Sequence, residues 1–105
     1  MREKDRIVAV ELKRRLSAIV QLVDFKVFGS RARGDDDEYS DLDVFIEVEA
    51  LSPSLKEEIS DIVWEVGYQN DMVISPRIFT RDELERSPLR ASSIVKAIAD
   101  EGVPV

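Results

Sequence analysis

The residues best suited to chemistry lie in one short stretch, from Phe28 to Glu49. It reads FGSRARGDDDEYSDLDVFIEVE and contains an Asp-x-Asp motif at Asp41 and Asp43. In a β-strand, residues i and i+2 lie on the same face with their Cα atoms about 6.5–7 Å apart, so these two carboxylates can converge. Carboxylates are ligands for Mg²⁺ or Mn²⁺, and two such ions held together suit displacement at phosphorus. The motif therefore predicts a metal site that serves phosphoryl or nucleotidyl transfer.

The residues that precede this pair are suited to phosphate binding. Gly29 allows the backbone to approach a phosphate closely, and Ser30 offers both a backbone N–H and a hydroxyl. Arg33 can hold a polyphosphate tail as an ionic clamp. Together with the metals, these residues predict a site for a nucleoside triphosphate.

Composition excludes several other kinds of chemistry. The chain has neither Cys nor His, so thiolate nucleophiles, Cys-ligated zinc and histidine bases are excluded, and catalysis must rely on carboxylates and hydroxyls. Its formal charge of −7 disfavours direct nucleic-acid binding and favours a basic partner protein. The charged N-terminus and the absence of a long apolar run give no sign of export or membrane insertion, so we expect a cytoplasmic protein.

Hydrophobic spacing outlines the elements that must position these residues. A helical period runs from Asp5 to Val23, and a second one follows the capping residue Ser52 and closes at Gly67. Further patterns predict strands at 25–28, 42–48 and 70–75, a short helix near 81–86 and a terminal helix at about 89–101.

These elements predict an α/β fold of the α+β type. We expect helices to cover a small mixed β-sheet, with residues 1–105 forming a single domain. One face of the strand at 42–48 is expected to join the core and the other to face the site. Asp71 is expected to open the third strand, which Pro76 limits at its end.

The Gly29-Ser30 pair, ten intervening residues and then Asp41-x-Asp43 in a strand resemble the signature of the polymerase-β-type nucleotidyltransferase superfamily, particularly its minimal nucleotidyltransferase (MNT) branch. The resemblance also covers the first helix, Asp71 and the closing AIADEGVPV. It implies a nucleotidyltransferase-like fold and transfer of AMP from ATP with release of pyrophosphate. Asp41, Asp43 and Asp71 would then be the catalytic metal ligands, with Asp71 also acting on the acceptor hydroxyl, while Gly29, Ser30 and Arg33 bind the nucleotide.

Many small proteins of this branch are antitoxins that attach AMP to a tyrosine of a HEPN-type ribonuclease toxin. The resemblance therefore implies a hetero-oligomer with such a toxin as partner and acceptor. The alternative is a catalytically idle nucleotidyltransferase fold that neutralises its partner by binding alone. The intact Gly-Ser and the three acids favour the enzyme.

Some nearby residues have two interpretations. Arg31 either shares phosphate binding or only offsets the acidic residues 35–38, which we interpret as a solvated loop. Trp64 is interpreted as a packing or partner-surface aromatic residue rather than a nucleotide-stacking one. Tyr39, beside the acids, is a possible self-modification site.

Overall fold

The computed structural model describes all residues of the chain, from Met1 to Val105. It contains α-helices and β-strands in an interspersed order, with a 3₁₀ helix at Pro88–Ala91 before the last α-helix. The elements are α1 (Glu3–Ser17), β1 (Leu22–Phe28), α2 (Gly29–Arg33), β2 (Leu42–Val48), α3 (Pro53–Gln69), β3 (Ile74–Thr80), α4 (Arg81–Arg86), α5 (Ser93–Glu101) and β4 (Val103–Pro104). None of these helices is both long and apolar enough to cross a membrane.

The four strands form one mixed sheet in the order β3-β2-β1-β4. Strand β1 pairs antiparallel with both β2 and β4, whereas β2 and β3 run parallel. The crossover between the parallel strands is made by α3, as parallel pairing requires. The α+β fold expected from the sequence is confirmed.

The main core lies between one face of this sheet and the helices α1 and α3. Its fully buried side chains include Leu12, Leu16, Leu42, Ile46 and Ile59. The opposite face carries a smaller buried cluster of Phe45, Phe79 and Ile98. The expectation that this whole face of β2 faces the site is therefore wrong, because Phe45 is buried and only the end that carries Asp41 and Asp43 is left for a site.

Tertiary pairing overrides the helical period at the end of α1. This helix stops at Ser17, and residues from Leu22 onward form β1, so the expected helix to Val23 is too long. The last helix is shorter than expected for a local reason. The Ser92 hydroxyl accepts a hydrogen bond from the Val95 N–H and caps α5, which separates it from the 3₁₀ helix.

The third strand also differs from the expected one. It spans Ile74–Thr80 rather than 70–75, and Pro76 lies inside it. Because β3 is an edge strand, one of its sides has no neighbouring strand. Pro76, which lacks an N–H, is tolerated there without the loss of a hydrogen bond inside the sheet. Asp71 consequently does not open a strand but lies in the turn between α3 and β3.

Candidate functional site

Strands β2 and β3 bring a carboxylate pair and a serine together where both strands begin. Asp43 and Ser75 are register partners in the parallel pair. The Ser75 hydroxyl donates a hydrogen bond to Oδ2 of Asp41 at 2.8 Å, which fixes the direction of that carboxylate. The charge of Asp41 helps to raise the pKa of the Asp43 carboxyl, so the two carboxylates interact electrostatically.

Gly29 packs directly against the side chain of Asp43. Its φ of 75° lies in the left-handed region that favours glycine, at the junction where β1 turns into α2. A Cβ at this position would collide with Oδ2 of Asp43, so no other residue leaves this carboxylate in place. Gly29-Ser30 and Asp43 therefore meet, although twelve residues separate Ser30 from Asp43.

Burial and the charge of Asp41 raise the pKa of the Asp43 carboxyl, with opposition from the guanidinium groups of Arg77 and Arg33. A partly desolvated carboxylate beside another carboxylate is stabilised by any cation placed between them. The donor set consists only of hard oxygen atoms, from Asp41, Asp43 and the nearby Ser75 hydroxyl. These residues fit a Mg²⁺ or Mn²⁺ ion.

Two arginines face this pair, and one of them was not predicted. Arg33 is bound to two acids, Asp35 and Glu101, each at 3.1 Å, so a triphosphate must displace at least one of these contacts. Arg77 on β3 is exposed and forms neither an ion pair nor a side-chain hydrogen bond. Neither Arg77 nor Ser75 was predicted as a site residue: the predicted strand ended at Ser75, which left out Arg77, and Ser75 was given no role. Alternation through Pro76 places both residues on the face of Asp43.

Arg31 is a structural residue rather than a phosphate ligand. Its guanidinium is buried, pairs with the fully buried Asp5 at 2.8 Å and donates to the Ser40 carbonyl at 2.9 Å. It also approaches Asp36 at 3.6 Å, and Arg2 pairs with the same Asp36. These partners leave the Asp36 side chain only 3% exposed, so the interpretation of a solvated loop fails for this side chain, whereas the other acids of residues 35–38 are exposed. The network ties the acidic loop to α1 and holds Ser40 directly before Asp41.

Asp71 lies apart from the other two predicted metal ligands. It occupies the turn after α3 with a φ of 53°, and it does not contribute to the shifted pKa of Asp43. No group of three acidic side chains in the structure is arranged to hold a metal ion. The expectation that Asp71 opens the strand beside this pair is therefore wrong. Residues 70–73 form the connection, so β3 begins four residues later than expected and Ser75 takes the position across from Asp43.

Comparisons with known proteins identify the family of this chain. Residues 9–104 match the family model described as "Nucleotidyltransferase domain". A protein of Methanocaldococcus jannaschii named "Putative protein adenylyltransferase" is 36% identical over 83 residues, which is 77% of each chain.

Two solved structures share the fold. A toxin–antitoxin crystal structure with AMP-PNP has a TM-score of 0.59 at 19% identity and covers 98% of this chain and 72% of its own. A toxin–antitoxin structure of MntA and HpeT with a tyrosine-to-alanine mutation has a TM-score of 0.60 at 18% identity, covering 100% and 72%. The family match spans nearly the whole chain and includes every residue of the Gly29 to Asp43 site, so this chain belongs to the nucleotidyltransferase domain family.

Proposed function

We propose that this protein transfers AMP from ATP to a tyrosine of a partner HEPN-type toxin and thereby acts as an antitoxin. The observation that carries the proposal is the packing of Asp43, whose carboxylate interacts with that of Asp41, against Gly29, which has no side chain. This arrangement joins a metal-binding pair to a backbone segment that a phosphate can approach. Cytoplasmic location, where ATP and Mg²⁺ are supplied, is part of the same proposal.

The chain's own residues divide the work of the reaction. Asp41, oriented by Ser75, and Asp43 would hold Mg²⁺ or Mn²⁺, and the Ser30 backbone N–H and hydroxyl would contact the phosphates. When bound, the metal neutralises charge on the α-phosphate and on the departing pyrophosphate. Arg77 is unpaired and would bind the triphosphate at once, whereas Arg33 would first leave Asp35 or Glu101.

At phosphorus, the transfer forms one bond and breaks one. The tyrosine oxygen bonds to the α-phosphorus, the bond from that phosphorus to the pyrophosphate oxygen breaks, and the hydroxyl proton passes to solvent water. The phenol has an ordinary pKa of about 10, so it reaches the site largely protonated. Because Asp71 lies in a turn outside the pair, we do not assign it to metal binding or to this proton.

The relatives support a protein as the acceptor. One is named as a protein adenylyltransferase, and both solved structures are toxin–antitoxin assemblies, one of them with a bound ATP analogue. A HEPN-type toxin in a hetero-oligomer with this chain, and a tyrosine as its modified residue, are the finer parts of our proposal. The alternative is neutralisation by binding alone, which needs no intact carboxylate pair.

The experiment combines mass and activity measurements. The partner toxin is incubated with this protein, ATP and Mg²⁺, and its intact mass and ribonuclease activity are followed together. We expect the mass to rise by one or more AMP units, localised to tyrosine by fragmentation, as the ribonuclease activity is lost. Equal neutralisation without ATP, and by the Asp41→Asn/Asp43→Asn variant, would establish the binding module instead.

A further inference from the structure

An open pocket of about 780 Å³ lies between the end of α3, the acidic loop and the start of β3. We call it the aromatic pocket and define it by Tyr39, Trp64, Tyr68, Asp71, Glu38 and Val73. The rings of Trp64 and Tyr68 are stacked, with centroids 5.2 Å apart and an interplanar angle of 11°. They are 69% and 75% exposed, and Tyr39 is 84% exposed, so these rings are not part of the core. Large aromatic side chains left in solvent at one place are typical of a binding surface.

The charges around these rings have one sign. Glu38 and Asp71 line the pocket, and Asp61 precedes Trp64 by one helical turn on α3. None of these three carboxylates takes part in an ion pair. The only cation lining the pocket, Arg31, is buried and neutralised by Asp5. The pocket is therefore aromatic and anionic, a combination that favours a guanidinium or ammonium group over a neutral or acidic one.

The backbone of the pocket is held in a fixed shape. Asp71 has a left-handed φ of 53°, which is uncommon for a residue with a side chain. The Met72 N–H donates to the Gly67 carbonyl at 2.9 Å, and a Cβ on Gly67 would collide with the Met72 carbonyl. The close turn after α3 thus requires this glycine and places the carboxylate of Asp71 at the pocket that Trp64 also lines.

The pocket adjoins the carboxylate pair through two chain connections. Ser40 and Ile74 line the pocket, and the residues that follow them, Asp41 and Ser75, are hydrogen-bonded to each other at the nucleotidyltransferase site. A segment seated in the pocket would therefore lie beside the strand ends that carry the reaction.

We propose that the aromatic pocket binds an arginine or lysine side chain of the partner protein, held over the Trp64–Tyr68 stack and by Asp71 and Glu38. This deepens the proposed function, because it assigns the surface by which the acceptor protein is recognised. Binding here requires neither nucleotide nor metal, so it can be tested separately from AMP transfer.

Trp64 provides the measurement, because it is the only tryptophan of the chain. Tri-arginine amide is titrated into the full-length protein at low ionic strength without ATP or metal, and Trp64 fluorescence is recorded. Tri-glutamine amide and tri-glutamate are the matched peptides. We expect saturable binding of tri-arginine at least about tenfold tighter than of tri-glutamine, weakening as salt is added, and none of tri-glutamate.

Substitutions test whether tri-arginine binds at the aromatic pocket. Glu38→Gln with Asp71→Asn removes both charges at the pocket and should weaken tri-arginine binding by about three- to tenfold. Glu57→Gln, an exposed acid near the other end of α3, is the matched control and should bind as the wild type does. Tyr68→Ser should also weaken binding, with the thermal midpoint confirming that the exposed substitution leaves the fold intact.

Four results of the peptide and nucleotide titrations would overturn the proposal. They are no fluorescence change with tri-arginine, equal binding of all three peptides, equal loss in Glu57→Gln, and quenching of Trp64 by ATP alone, which would assign the pocket to the nucleobase. Concentration-dependent self-association that Tyr68→Ser abolishes, without any binding of tri-arginine, would assign the surface to a second copy and would equally overturn it.

Discussion

At the scale of single residues, Gly29 sets the space that is open to the Asp43 carboxylate. Replacing it with alanine forces a Cβ into the left-handed region, which costs about 1–2 kcal/mol, and drives that Cβ into Asp43. ATP with Mg²⁺ should raise the thermal midpoint of the wild type, and we expect Gly29→Ala to lose this rise. Mass action makes this stabilisation about 2.7 kcal/mol at one hundred times Kd, which is readily measured.

Gly34 offers the matched control for this substitution. Its φ of 84° imposes a similar strain on alanine, but a Cβ there would meet nothing within 4 Å. Gly34→Ala should therefore lose a similar amount of stability while keeping the ATP–Mg²⁺ shift. If both variants keep the shift, Gly29 does not shape the nucleotide site.

The ionised Asp43 carboxylate is expected to destabilise the folded state when no metal is bound. Burial, and then the charge of Asp41, raise the pKa of this carboxyl above that of the unfolded chain. The folded state therefore binds the proton more tightly, and stability falls as pH rises through the range between the two pKa values. At neutral pH, without metal, we expect Asp43→Asn to melt higher than the wild type, by less than about 4 °C because the group is partly exposed.

The difference in thermal midpoint between Asp43→Asn and the wild type should itself depend on pH. The variant's advantage over the wild type should disappear as pH falls below the ordinary aspartate pKa, where the Asp43 carboxyl is protonated in both states. Calorimetric scans of both proteins from acid to neutral pH measure this difference in thermal midpoint. A variant that melts lower than the wild type at neutral pH would show that the ionised carboxylate stabilises the fold.

At the scale of elements, the buried Arg31–Asp5 pair joins α2 to α1 and supports the loop before Asp41. Asp5→Asn leaves the Arg31 charge buried with only the more distant Asp36 as a carboxylate partner. We expect a loss of about 3 kcal/mol in urea denaturation, because removing one partner of a buried pair leaves the other uncompensated. Arg14→Gln, which breaks the exposed pair with Glu11, should lose only a small fraction of that stability, because solvent screens an exposed pair. Equal losses would mean that burial of Arg31 does not matter.

Because β3 begins at Ile74, Asp71 lies outside the strand and we do not expect it to bind the metal. The structure places Ser75 rather than Asp71 across from Asp43, so Asp71→Asn should keep the ATP–Mg²⁺ shift in thermal midpoint. Asparagine tolerates the left-handed φ of 53°, so the turn should also be kept. A loss of the shift as complete as in Asp41→Asn/Asp43→Asn would restore Asp71 as the third metal ligand.

Strong local patterns predicted several elements, whereas the register of the sheet was not predictable. The strand at Leu42–Val48 and the Ser52 cap of α3 follow from alternation and capping chemistry that lie within a few residues. The end of α1 and the span of β3 depend on which segments pair in the sheet, and no local period reports that pairing. Ser75 and Arg77 were missed for this reason, and so was the true place of Asp71.

At the scale of the whole molecule, the Gly-Ser to Asp-x-Asp spacing predicted the family, whereas the surfaces depend on the fold. The formal charge of −7 indicated a basic partner but not where it binds. The location that we propose depends on how α3 places the Trp64–Tyr68 stack next to the acidic loop. Likewise, the phosphate role left open for Arg31 was settled only by its burial against Asp5.

If the Asp41–Asp43 pair transfers AMP, the phosphate that reaches the toxin must come from the α position of ATP. The partner toxin is incubated with this protein and Mg²⁺, using ATP labelled at the α-phosphate or, in parallel, at the γ-phosphate. We expect only the α label to become attached to the toxin, on tyrosine, with Arg14→Gln active and Asp41→Asn/Asp43→Asn inactive. Transfer of the γ label, or α labelling that is undiminished in the double variant, would contradict this expectation.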